Sequence, residues 1–247
     1  MMSHGGPRSD PLSPSSNDGP DKLADVTDLP LLSVDGLKTA AKEFTNTLGN
    51  TPIEPLYGVT DGKAVGTYVE ASFNIFVRER FTHEPGNAAK GIDFPDIDVD
   101  LKVTSIKQPQ SSCPFRDATQ KVFGLGYHLL VMVYEKLDDH ANRTSALDFT
   151  NVIFIEKEFT ADFQTTTGIQ RIIEADGNVD DIDAFLEERN LPVDEIGRRQ
   201  LAERIIETPP VQGYLTISNA LQWRLQYGRA IQLAHAGDHH GLEDVIG

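Results

Sequence analysis

The chain has 247 residues, of which 39% are apolar, and carries a net charge of -16 from 38 Asp and Glu against 22 Lys and Arg. That size supports one substantial core and falls short of two independent catalytic domains. The single cysteine, Cys113, excludes an internal disulfide and a cysteine-built zinc site, and no apolar run reaches the roughly 18 residues of a membrane helix.

In chain order, residues 1–28 are rich in Pro, Ser, Gly and Asp with almost no large apolar side chain. Such a segment cannot offset its ordering entropy, so a disordered tail is predicted. It also lacks the apolar stretch of a signal peptide, so a soluble, cytoplasmic protein is expected. Order is expected from near Leu29. Lys63 to Phe81 is predicted to be a helix, because Val65, Val69, Phe73, Phe76 and Val77 recur at three- and four-residue spacing; Glu70 falls within it. After a turn-rich break at His83 to Gly91, the runs IDF and IDVDLKVT read as strands. Phe115 to Gly124 reads as a helix, and HLLVMVY and NVIFIEK read as buried strands. From about Thr160 the patterns are mostly helical, ending in ISNALQWRLQYGRAIQLA, where Asn219 to Ala234 is predicted to be one helix. The chain is therefore assigned to the α/β (α+β) class, with a tail over 1–28, a catalytic core over 29–160 and a mostly helical extension over 161–247.

Chemistry concentrates in GIDFPDIDVDLKVTS. In a strand successive side chains alternate, so Asp98, Asp100, Lys102 and Thr104 share one face while Ile97, Val99, Leu101 and Val103 share the other. Phosphodiester hydrolysis needs a hard cation held by oxygen, a polarised water and positive charge near the developing negative charge. Asp100 and the Leu101 carbonyl are candidate ligands for Mg2+, and Lys102 is the candidate to orient water and stabilise charge. A second carboxylate comes from Asp93, seven positions earlier across a Pro95-Asp96 bend, or from Asp96. A calcium loop over Asp96, Asp98 and Asp100 fails, because Leu101 and Lys107 stand where glycine and glutamate are needed. A solvated polar strand face, and a metal-free clamp of Lys102 between Asp98 and Asp100, are the plain alternatives.

The segment GIDFPDIDVDLK resembles the split motif of the PD-(D/E)XK nuclease superfamily, in which an Asp precedes an (Asp or Glu)-x-Lys triplet on a strand. Asp93, Asp100 and Lys102 match those positions, and Glu70 matches an acid on the first core helix that can join the metal site. The longer stretch LKVTSIKQPQSSCPFRDATQKVFGLGYHLLVMVYEK is similar to type II restriction endonucleases. The resemblance implies a restriction-endonuclease-like core, a central mixed sheet flanked by helices, and metal-dependent cleavage of double-stranded DNA at a specific site. A homodimer is expected, because two strands must be cut and each chain offers one metal site.

The acidic balance opposes DNA binding when averaged over the chain, although it suits a halophilic cell. Its distribution is uneven. Glu174 to Glu195 has nine acids and one base, whereas Leu101 to Lys136 has five bases and two acids, and Gly197 to His235 has five Arg and two Glu. DNA is expected on the two basic segments. Gln108, Gln110, Ser111 and Ser112 read as a polar loop after the catalytic strand, able to reach phosphates or base edges. On the predicted C-terminal helix, Asn219, Gln222, Gln226 and Arg229 fall on one strip with the groups needed to read adenine and guanine. A non-catalytic DNA-binding module, or a repair or nicking nuclease, is the alternative to a restriction enzyme.

Overall fold

The computed structural model describes residues 29–84, 91–113, 116–218, 223–237 and 239–247; the predicted tail lies outside them. Two capped helices come first. In α1 (Val34–Gly49) the Ser33 hydroxyl accepts from the Gly36 N–H at 3.0 Å. In α2 (Gly62–Arg78) the Asp61 carboxylate accepts from Lys63 N, also at 3.0 Å, satisfying otherwise unpaired first-turn donors. Of the predicted apolar stripe, Val65, Val69, Phe73 and Val77 are buried and Phe76 is half-buried; Glu70 sits on its flank, also half-buried.

The strands in chain order are β1 (Val99–Ser105), β2 (Gln110–Cys113), β3 (His128–Asp139), β4 (Thr144–Ile155), β5 (Thr216–Ile217), β6 (Trp223–Gln226) and β7 (Leu242–Asp244). The central sheet has the order β1-β3-β4-β7, with β1 parallel to β3 and the other pairs antiparallel. This is the mixed sheet expected. Both of its faces are covered, which is why HLLVMVY is apolar throughout rather than alternating. Leu101, Leu130 and Met132 pack towards α1 and α2. Leu129, Val131, Ile153 and Ile155 pack against a second layer containing Leu225, Tyr227 and Ile231. That layer is the antiparallel sheet β2-β6-β5 followed by helix. The helices after α2 are α3 (Gln120–Phe123), α4 (Phe163–Glu174), α5 (Val179–Glu188), α6 (Glu195–Glu207) and α7 (Gly228–Ala236). A third cluster, including Val122, Ile169, Ile182, Leu186 and Leu201, joins α3 to α6.

Several expectations are corrected. The run IDF is not a strand: Phe94 forms a single bridge with Val99 around the short helical turn Pro95–Ile97, and Asp98 is left-handed at φ 51°. Ile97 and Asp98 therefore precede the alternating strand. The helix at 115–124 shrinks to the four residues of α3, whose Lys121 is buried and lies beside Asp162. Residues 110–112 belong to β2 rather than a loop. The single helix over Asn219–Ala234 is replaced by β6 and then α7; Leu225 and Tyr227 are buried while Arg224 and Gln226 are exposed, a period of two. Asn219 and Gln222 lie outside the described residues. The basic segment from Gly197 is partly neutralised, because Arg198 pairs with Asp183 at 3.0 Å and Arg199 pairs with Asp180.

Candidate active site

Strand β1 lies at the edge of its sheet, bonded to β3 on one side only. Its free edge is occupied by Asp93, whose Oδ2 accepts from Leu101 N at 2.9 Å. The return that makes this possible is built by Phe94. Its N–H donates to Val99 O at 2.9 Å and its carbonyl accepts from Val99 N at 3.1 Å. Its ring is buried, edge-on to Phe73 at 6.1 Å and tilted against His83 at 5.6 Å. In a strand the N–H and C=O of one residue point the same way, so the Leu101 carbonyl also faces this free edge.

Asp100 is only 3% exposed. Its Oδ2 lies 2.6 Å from Lys102 Nζ, and its carboxyl is close enough to share a hydrogen bond with Asp93. Burial pushes the Asp100 carboxyl up to about 7 from its ordinary 3.8, the Lys102 charge opposes this, and Asp93 reinforces it. Burial disfavours the Lys102 cation, yet the charge and hydrogen bond of Asp100, together with Asp93, outweigh it and raise its pKa. Glu70 faces the same group: burial and then the Asp93 charge raise its carboxyl, while Lys102 lowers it. Four of the residues singled out in the sequence thus converge from α2, the pre-strand turn and β1. Asp96 does not. It is exposed, and its Oδ2 accepts from Glu84 N at 2.7 Å.

The polar face of β1 is continued by the second sheet. Thr104 Oγ1 accepts from Gln110 N at 3.0 Å, and Ser111 Oγ lies 2.6 Å from Tyr227 OH. Ser111 is half-buried and engaged there, while Gln108 and Ser112 are exposed. Gln226 is exposed opposite Gln110. Arg229 lies over the Phe163 ring at 4.3 Å, and its buried Nε has no hydrogen-bond partner. His128 is half-buried, accepting from Lys157 N at 3.0 Å and stacked on Phe154, so its ring is satisfied within the fold. Two arginines escaped the sequence reading. Arg116, exposed, packs its guanidinium against Gly91, two residues from Asp93. Arg224, also exposed, lies opposite Ser112 on the β2–β6 ladder.

The family model of the type II restriction enzyme NspV matches residues 31–244. The chain belongs to the NspV family of type II restriction enzymes. A relative named type II restriction enzyme NspV, from Nostoc sp., is 53% identical over 215 residues, which is 87% of this chain and 97% of the relative. No solved structure matches. NspV membership bears out the resemblance to type II restriction endonucleases carried by LKVTSIKQPQSSCPFRDATQKVFGLGYHLLVMVYEK, and both the PD-(D/E)XK resemblance of GIDFPDIDVDLK and the mixed sheet flanked by helices are consistent with it. No helix among the described residues is long and apolar enough to cross a membrane.

Proposed function

We propose that this NspV-family member hydrolyses phosphodiester bonds of double-stranded DNA at a specific site, with Glu70, Asp93, Asp100 and Lys102 as its reaction centre and Mg2+ as its cation. The observation that carries this is the buried Asp100 carboxyl held between a second carboxyl and an ammonium 2.6 Å away. A metal-free clamp of Lys102 calls for Asp98 and Asp100, but Asp98 is exposed on the turn before β1, and the carboxyl beside Asp100 is that of Asp93, which adds to the rise that burial imposes on Asp100. Among the described residues no three acidic, imidazole or thiol side chains form a complete cation cage. The donors that fit a hard cation are instead two carboxylates and the Leu101 carbonyl, an all-oxygen set with room left for water and phosphate oxygens. Bound Mg2+ would neutralise phosphate charge and lower the pKa of a bound water. Lys102 Nζ orients the attacking water and stabilises the charge that develops on the phosphoryl oxygens. Glu70, its affinity for protons raised by burial and then by Asp93, would take the proton of that water. Because each chain carries one such centre, cutting both strands calls for two copies, a homodimer. Residues 29–160 carry the centre, and 161–247 supply the strand and helix beside it.

Plasmid cleavage with Mg2+ by Asp93→Ala and Asp96→Ala tests the assignment. Asp93→Ala is expected to lose about 10³-fold in rate, and Asp96→Ala to stay within about threefold. An inactive Asp96→Ala beside an active Asp93→Ala would overturn this centre.

A stability prediction follows from the same burial. A carboxyl raised from 3.8 to about 7 contributes stability that is present at low pH and lost as pH rises through 7. In EDTA, the Tm of Asp100→Asn relative to wild type should therefore climb from pH 5 to about pH 7 and level off by pH 8. A difference that stays constant over that range would show that Asp100 is ionised throughout.

A further inference from the structure

The two strands of the β2–β6 ladder come from unusual parts of an acidic chain. Although 38 of 247 residues are acidic, Leu101 to Arg116 holds three bases and no acid, and Thr208 to Gly237 holds two arginines and no acid. A third acid-free run, Ala118 to Tyr134, includes the first half of β3, where burial accounts for the lack of charge. Burial does not account for the ladder. Its antiparallel register pairs Gln110 with Gln226 and Ser112 with Arg224, so these four share one face. Ser112, Arg224 and Gln226 are exposed and Gln110 is half-buried. The opposite face is anchored: Cys113 and Leu225 are buried, and Ser111 is bound to Tyr227 OH at 2.6 Å.

We infer that this outer face, Gln110, Ser112, Arg224 and Gln226, is the surface with which the enzyme reads base pairs in the major groove; the inference rests on the nuclease reading above. A two-stranded ribbon fits that groove. Gln can pair bidentately with adenine, Arg with guanine, and Ser with either. Exposed positions without acids let the ribbon approach phosphates that most of this chain would repel. Its position suits the task, because Gln110 N bonds Thr104 Oγ1 at 3.0 Å, two residues along β1 from Lys102. Bases read by the ribbon therefore lie next to the bond being cut, and the rigid inner face holds the reading groups in register.

The test uses the full chain and its own cleavage site, located by mapping fragment ends. For wild type, Arg224→Ala and Gln226→Ala, kcat/KM is measured on the cognate duplex and on duplexes with each base pair changed singly, and melting is followed in parallel. Each variant is expected to melt as wild type does and to lose about 10- to 100-fold of its discrimination at one base pair, keeping it elsewhere. Wild-type discrimination in both variants, or a loss of rate equal on every sequence, overturns the inference while the nuclease assignment stands. A wild-type chain that cuts no DNA overturns both.

Discussion

Asp100→Ala and Lys102→Ala should each reduce single-turnover cleavage by at least about 10³-fold while binding to the cognate duplex, measured in EDTA, stays within a few fold. The reasoning starts from the electrostatics of a crowded, buried site. Asp100 and Lys102 form a contact of 2.6 Å with 5% and 19% of their side chains exposed. Removing Lys102 takes away the cation that opposes the burial-driven rise at Asp100 and Glu70, so these two acids should hold protons more tightly where negative charge is needed to hold metal. Removing Asp100 withdraws a metal ligand and leaves the Lys102 ammonium half-buried without its closest partner. The two substitutions act on one unit, so the double variant should be little worse than either single one. Additive losses would indicate that the residues act separately.

Phe94→Ala is expected to destabilise the protein by about 3–5 kcal/mol and also to depress cleavage per folded molecule. The ring is 1% exposed and packs against Phe73 and His83, so truncation leaves a cavity under the turn. The same residue makes both backbone bonds to Val99 that fold Asp93 onto the free edge of β1. A loosened turn moves Asp93 away from Leu101 N, and a displacement of an ångström at a catalytic group is costly. Phe94→Leu, which keeps most of the volume, should restore most of both properties. Denaturant melts and cleavage at saturating DNA separate the effects: an unstable Phe94→Ala with wild-type kcat would mean that the turn supports the fold but does not position Asp93.

The catalytic strand was readable because its information is local. Asp100 and Lys102 share a face by strand alternation alone, and the α2 stripe repeats over four turns. Asp93 was left level with Asp96 because the choice depends on the Phe94–Val99 bridge, which needs a left-handed Asp98 that no periodicity announces. The region around β6 misled for a different reason. Over a few residues, Trp223, Tyr227 and Ala230 satisfy helical spacing while Leu225 and Tyr227 satisfy strand alternation, and the deciding partner, β2, is more than a hundred residues away. Ser111, a polar residue expected to face DNA, is instead bonded to Tyr227 on the inner side of its sheet. Arg198 and Arg199 illustrate the limit of counting charge by segment, since α6 lies against the acids of α5.

The most direct test of the central claim is digestion of a mixed plasmid and phage DNA panel by the wild-type chain, with Mg2+ and with EDTA, followed by sequencing of the fragment ends. Discrete fragments whose ends share one sequence, present with Mg2+ and absent with EDTA, are predicted; intact DNA, random ends, or the same fragments in EDTA would contradict a metal-dependent, site-specific nuclease.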